Sequence, residues 1–550
     1  MVAPRGPPHL VILLVDDLGI GDTSLRIHKA TSESPTEVVS PNMQQLRDQG
    51  LLLDQHYVFK FCSPSRSQLL TGRYAYHLGQ QTPMNLNPNT KPCGLSTRYA
   101  LLPQLLKKRG YWNAAIGKWH QGFFRPEYLP TMRGFDRFMG FYSGGIAHST
   151  HVTPYAVEPN WWTPPANRTC PTHGCTSLWD WHNDSHVGGL SSASFARSTN
   201  GTYSSELIAD HFEHVVDEYL RGNASDVNFP HRRGPFFGYV AFSGVHLPLE
   251  VPARYLHQYE KGAFGGDPDR LRLAGMVTAV DDAIGRVVRK LKVEGMYENS
   301  LILLMSDNGA PVCTQNIPPG ERCKRHCGGS NGMLRGSKMT DWEGGVRGLG
   351  VVSGGVIPKN RRGGTYSGLL SQTDWYAAFA SLAGVAPELL WSEASGPVPP
   401  DAVNGTWEAL ISDSPSPRKE VVHNIFGDEP GALRVGKYKL VRGDPLRAYS
   451  SRQYNSYNGW AGVDLNASIS PCSDVPCLFN IERDPEERHD LSQQEPHVLA
   501  RMVARYDELR GSEVSLERSG LCPAGLPSVD GCTSNRNSGL WSPWISNSFA

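Results

Sequence analysis

Two stretches of the chain, His9–Val15 (HLVILLV) and residues 301–305 (LILLM), are apolar almost without interruption. A strand with one wet face alternates apolar and polar residues. A continuous run has to be covered on both sides, as in a parallel sheet held between layers of helices. Residues 112–116 and Phe236–Phe242 offer two more such strands, and helical patterns over 101–109, 204–220 and 271–293 are interleaved with them. The alternation predicts an α/β fold with a mainly parallel central sheet flanked by helices.

A chain of 550 residues is too long for one ordinary core. After a helix over 373–382, the Pro/Gly/Ser-rich stretch 386–418 reads as a linker. Beyond it, short strands at 434–441 and 477–481 and a helix near 498–509 predict a smaller C-terminal domain of antiparallel sheet plus helix. The expected division is a large α/β domain over 1–410 and a C-terminal α+β subdomain over 411–550. Residues 143–202, rich in small and polar residues with little periodicity, read as a long surface insertion pinned by Cys170 and Cys175.

Lysine plus arginine equals aspartate plus glutamate at 53 each, so nothing in the charge balance argues for nucleic acid or an anionic membrane as partner. The eleven cysteines sit mostly in polar, Pro/Gly-rich segments, which favours an oxidising compartment. Setting Cys62 aside leaves ten, enough for five disulfides. Six Asn-x-Ser/Thr sequons, at Asn167, Asn183, Asn200, Asn223, Asn404 and Asn466, agree with passage through the secretory pathway. The seven-residue run His9–Val15 is too short for a membrane span or a leader and reads as a core strand. No membrane span is expected, and the chain reads as a mature form whose leader has been removed.

In open α/β sheets, ligands gather at the carboxyl ends of strands. There the chain places Asp16-Asp17 after one strand and Asp307-Asn308 after another. Three carboxylates and an amide oxygen suit a hard cation, calcium or magnesium. Taken separately, Asp16-Asp17 could instead cap a helix and Asn308-Gly309 could be an ordinary turn. Lys118 and His120, in Gly117-Lys118-Trp119-His120, and His246, in Ser243-Gly244-Val245-His246, fall at strand ends in the same way. A lone histidine of this kind is more often structural than catalytic. Lys338, in Arg335-Gly336-Ser337-Lys338, adds a cation, although a solvated basic loop would look similar. Three carboxylates against a divalent cation leave one negative charge, which Arg66, Lys118 and Lys338 outweigh, so such a pocket favours an anionic ester. Ser63-Pro64 fits the first turn of a helix, which would place a helix N-terminus under Cys62.

Cys62-Ser63-Pro64-Ser65-Arg66, continued by Ser67-Gln68-Leu69-Leu70-Thr71-Gly72-Arg73, resembles the signature of the sulfatase family, within the alkaline phosphatase superfamily. The resemblance extends through Gly117-Lys118-Trp119-His120, Arg133-Gly134-Phe135-Asp136, Asp307-Asn308-Gly309 and Trp342-Glu343-Gly344-Gly345-Val346-Arg347, and is strongest to arylsulfatase B-like arylsulfatases. It implies an alkaline phosphatase-like fold and hydrolysis of sulfate monoesters, sulfated sugars or polysaccharides among them. It also implies that a formylglycine-generating enzyme converts Cys62 to formylglycine, and that Asp16, Asp17, Asp307 and Asn308, with residue 62, bind one calcium ion. Arg66 and Lys118 would hold the aldehyde hydrate, Lys338 would grip the sulfate, His246 would protonate the leaving oxygen and His120 would help release sulfate. A lysosomal or extracellular location follows from the same resemblance.

The segments 20–39 and 311–327 look longer than the family's pattern and leave the substrate open. Two other readings compete. One is a phosphatase, phosphodiesterase or phosphonate hydrolase of the same superfamily, although no second set of His and Asp ligands for two zinc ions can be picked out. The other is a noncatalytic protein that binds sulfated glycans with Cys62 unmodified.

Overall fold

The computed structural model of the protein describes residues 6–25, 38–81, 92–153, 178–185, 197–222, 234–312, 328–427, 430–443, 472–523 and 542–543. Its strands are β1 (His9–Val15), β2 (Leu51–Leu53), β3 (His56–Tyr57), β4 (Trp112–Lys118), β5 (Arg137–Phe141), β6 (His182–Ser185), β7 (Phe236–Phe242), β8 (Ser300–Ser306), β9 (Gly350–Ser353), β10 (Gly364–Tyr366), β11 (Leu370–Ser371), β12 (Glu420–Asn424), β13 (Gly431–Val435), β14 (Tyr438–Gly443) and β15 (Cys472–Asn480).

Among the described residues, nine strands form one large sheet in the order β10-β2-β9-β8-β1-β7-β4-β5-β6. Its centre, from β8 through β1, β7 and β4 to β5, is parallel throughout, while β9 and β6 pair antiparallel. Alternate residues of β1 enter two different cores. Leu10, Ile12 and Leu14 join the one packed by the helices Leu102–Lys108 and Asp374–Leu382, and Val11, Leu13 and Val15 join the one packed by Ser204–Arg221 and Pro268–Val293. Cover on both faces is what the continuous apolar run required. Each such side chain contributes about 1.5–3 kcal/mol on burial, and an Ile12→Ala substitution would cost about 2–5 kcal/mol with its cavity.

A separate four-stranded antiparallel sheet, β12-β13-β14-β15, lies beyond residue 420 and packs against the helix Pro496–Arg510 through Met502 and Tyr506. Two sequence expectations are corrected here. The strand expected over 434–441 is a hairpin, with Val435 paired to Tyr438 across a two-residue turn. The stretch 386–418 is no open linker, because the helices Pro387–Glu393 and Thr406–Ser412 put Leu390, Trp407 and Leu410 into the main core. A third correction concerns 143–202: its part His182–Ser185 is the edge strand β6, anchored beside the fully buried Trp181.

Cys93–Cys522 and Cys472–Cys477 are disulfides, and Cys62 is the free cysteine among the described residues. Cys170, Cys175, the sequons at Asn167, Asn223 and Asn466, and most of the segments 20–39 and 311–327 lie outside the described residues. No helix among the described residues is long and apolar enough to cross a membrane.

Candidate active site

Cys62 is the first residue of the helix Cys62–Thr71 and so sits at the positive end of the helix. All ten residues of this helix are buried, and it stops where Gly72 turns to φ 67° and its N-H caps Gln68 O at 2.8 Å. Arg66, four residues on, lies on the same side as Cys62. Its guanidinium donates to Asp307 Oδ2 at 2.8 and 3.1 Å and comes within 3.6 Å of Asp16 Oδ2.

The carboxyl ends of β1, β4, β7 and β8 supply the rest apart from Lys338, which comes from the loop before the helix Glu343–Val346. Lys118 closes β4 and donates to Asp16 Oδ2 at 2.5 Å. Lys338 donates to Asp17 Oδ1 at 2.6 Å, as does the Asn308 amide at 2.8 Å. His246 Nε2 lies 3.8 Å from Asp17 Oδ2, and His120 Nδ1 lies 3.4 Å from Cys62 Sγ. The structure thus brings Cys62, Arg66, Lys118, His120, His246, Lys338, Asp16, Asp17, Asp307 and Asn308 into one buried cluster. Two of these backbones are strained: Asp17 has φ 61° and His120 φ 53°, left-handed values that side chains other than glycine rarely adopt.

Three oxygens of this cluster, Asp16 Oδ1, Asp17 Oδ2 and Asn308 Oδ1, are buried without a hydrogen-bond partner. A buried acceptor left unmatched costs about 1–3 kcal/mol, so three in one place mark a site shaped for something that binds oxygen. The ligand atoms of Asp16, Cys62 and Asp307 lie within 4.8 Å of one another. Carboxylate and amide oxygens in this number fit a hard divalent cation.

The electrostatics divide the residues by role. Burial alone would raise Asp17, but Lys338 and His246 beside it hold it below the usual carboxylate value. Asp307 is raised by burial and by the neighbouring Asp16, against the pull of Arg66. Burial pushes the Cys62 thiol up in spite of Lys118 and Lys338, so the unmodified thiol is a poor nucleophile here. Burial and the surrounding cations push His120 well below the ordinary histidine value; burial does the same to His246, against Asp17. His246 Nδ1 faces the Leu247 carbonyl at 2.8 Å and must donate to it, which leaves Nε2 as the atom turned toward the site.

Some contributors were not read from the sequence. Gly144 lies so close to His120 that a Cβ there would stand 2.8 Å from the imidazole ring. Asn331, inside the turn-like run Gly328-Gly329-Ser330-Asn331-Gly332, bonds the segments that follow Asn308 and precede Lys338. Neither carries a spacing that sequence reasoning can use.

The comparisons with known proteins agree with this geometry. Mouse arylsulfatase J is 29% identical over 98% of this chain and 81% of its own length. Mouse N-acetylgalactosamine-6-sulfatase is 27% identical over 89% and 83%. The crystal structure of Ps i-CgsB matches with a TM-score of 0.67 at 24% identity, covering 93% of this chain and 94% of that one, a likeness that speaks for the fold. Residues 8–385, which contain every member of the buried cluster, match the family model described as Sulfatase, and the chain therefore belongs to the sulfatase family of sulfuric ester hydrolases.

Proposed function

We propose that the protein hydrolyses sulfate monoesters with a formylglycine made from Cys62 and one calcium ion held by Asp16, Asp17, Asp307 and Asn308. The three unmatched buried oxygens beside Cys62 carry this reading. Calcium held there would supply positive charge for an anionic ester, and a hydrated aldehyde at position 62 would supply the attacking oxygen in place of the thiol.

The chain's own groups do the remaining work. Arg66 and Lys118 fix the carboxylates on one side of residue 62 and favour negative charge there. Lys338, held by Asp17, offers an ammonium to the sulfate. Charge develops on the leaving oxygen as the S-O bond breaks, and His246 Nε2 is placed to hand it a proton; the negative charge of the incoming ester works against the burial that depresses this histidine. His120, kept neutral by burial and 3.4 Å from atom Sγ of residue 62, is placed to take a proton from the hydroxyl at that position. A hydrated aldehyde at 62 would offer two hydroxyls, one of which would receive the sulfo group from the ester oxygen. The other, deprotonated by His120, would restore the carbonyl as the C–O bond breaks and sulfate leaves.

Aryl sulfates and sulfated sugars or polysaccharides are the proposed substrates, and the secretory pathway, ending in the lysosome or outside the cell, is the proposed location. We assign the catalytic unit to residues 1–410 and the C-terminal subdomain to 411–550. The test is turnover of an aryl sulfate by protein made in a secretory host, before and after chelation. Activity lost on chelation and restored by calcium supports the reading. Hydrolysis of an aryl phosphate or phosphonate in preference to the sulfate would replace it with the phosphatase alternative.

A further inference from the structure

We propose that Asn331 is a positioning residue that locks the calcium-binding loop to the Lys338 loop, and that its amide sets the calcium affinity and the turnover number; this rests on the function proposed above.

Asn331 is 3% exposed, and its side chain makes three hydrogen bonds, all to backbone. Oδ1 accepts from Ala310 N at 2.8 Å, and Nδ2 donates to Ala310 O at 3.1 Å and Gly336 O at 3.2 Å. The orientation of the amide is forced, since an N-H faces one end and two carbonyls the other. Ala310 stands two residues after Asn308, and Gly336 two residues before Lys338. Ala310 O also accepts from Lys338 N at 3.0 Å, so a single amide spans both loops at the point where they touch.

The residue before it ties in the third loop. Ser330 O accepts from Gly21 N at 3.1 Å and Ser330 N donates to Asp22 Oδ1 at 2.9 Å, four to six residues after Asp16 and Asp17. Arg270, from the helix Pro268–Val293, braces the same corner through Asp22, Gly21 O and Gly328 O. Three loops that carry Asp16-Asp17, Asp307-Asn308 and Lys338 are therefore gathered on the dipeptide Ser330-Asn331. Asn331 touches no reacting atom, so its influence runs through where those loops sit. Residues that orient metal ligands typically change metal affinity or activity by about 10-fold to 100-fold when removed.

The test compares the full-length wild type with Asn331→Asp, which keeps the outline and the acceptor but loses both donated bonds. Thermal shift against calcium, kcat and KM on an aryl sulfate, and the calcium-free Tm would be read. The expected result is calcium affinity and kcat each reduced about 10-fold to 100-fold, with KM within about 3-fold. A lowered calcium-free Tm with unchanged calcium affinity and kcat would reduce Asn331 to a structural residue and overturn the proposal. If the buried carboxylate itself prevents folding, Asn331→Ala, which removes the amide without adding charge, carries the same comparison. A wild type that neither responds to calcium nor turns over sinks the sulfatase reading, whereas a responsive wild type with an unaltered variant overturns the role of Asn331 alone.

Discussion

Two of the buried ionic clusters among the described residues differ in how their carboxylate oxygens are matched. One is the candidate site at the strand ends. The other lies where the four-stranded sheet meets the main body, and there Lys439 on β14 sits 2.9 Å from Glu343 Oε1 and 2.8 Å from Glu487 Oε1. Glu487 Oε2 accepts from Glu343 N at 2.7 Å, and Glu343 Oε2 accepts from Tyr57 OH at 2.7 Å with Arg347 at 3.5 Å. Here each carboxylate oxygen of the pair has a donor or a cation beside it. At the strand ends three buried oxygens have no hydrogen bond, against one, Glu487 Oε1, in the pair, and two backbones are strained. Both clusters offset part of their desolvation through ion pairs within the chain, and the first leaves more acceptors unmatched. An unrecovered cost is what selection for a ligand leaves behind.

Breaking the first cluster should destroy turnover with little effect on stability, and breaking the second should do the reverse. The largest effect is expected for Cys62→Ala: a loss of at least about 10,000-fold in kcat on an aryl sulfate, with a Tm within a few degrees of wild type. His246→Ala should cost about 100-fold to 1,000-fold, and more on esters with poor leaving groups than on nitrophenyl sulfate, because only the former need the proton. A loss independent of the leaving group would remove His246 from that role.

At the second cluster, Lys439→Met leaves two carboxylates buried without their cation and should destabilise by about 3–5 kcal/mol in denaturant, while the folded fraction keeps its kcat. The smallest effect is on pH. Burial and the charge of Glu343 push Glu487 up to about 7 against Lys439, whereas Glu343 is held at about 2 because Lys439, Arg347 and Arg434 outweigh its burial. Tyr57 and His423 also face Glu343, and Arg335 faces Glu487. For Glu487 the folded value lies above the ordinary 4.5, so its contribution is whole below about 4.5 and is lost as pH rises to about 7. Glu343 behaves oppositely, losing its contribution as pH falls from about 4.5 to about 2. Glu487 therefore lowers Tm as pH rises from 4.5 to about 7, against the histidines His9, His56, His151 and His211, whose values, lowered by burial, act in the opposite sense. Glu487→Gln should make the slope of Tm against pH more positive than in wild type. An identical slope in the variant would place the titrating group elsewhere.

Much of this was legible in the sequence because it was local. The runs at β1 and β8 are continuously apolar and the helices at 204–221 and 268–293 carry their own periodicity, while Asp16, Asp17, Lys118, His120, His246, Asp307 and Asn308 announce themselves by following strands. What stayed hidden depends on partners far along the chain. The helices Pro387–Glu393 and Thr406–Ser412 are too short to show a period and are flanked by turn residues. β6, His-Asn-Asp-Ser, has no strand propensity and exists because β5 offers it an edge. Asn331 bonds only to backbone groups, which no side-chain pattern records.

The most direct test of the central claim is a mass spectrum of the tryptic peptide Phe61 to Arg66 from protein made in its native secretory host. An aldehyde at position 62, trapped by a hydrazide, is the result this account predicts. An intact thiol there, in protein that still cleaves sulfate esters, would contradict it.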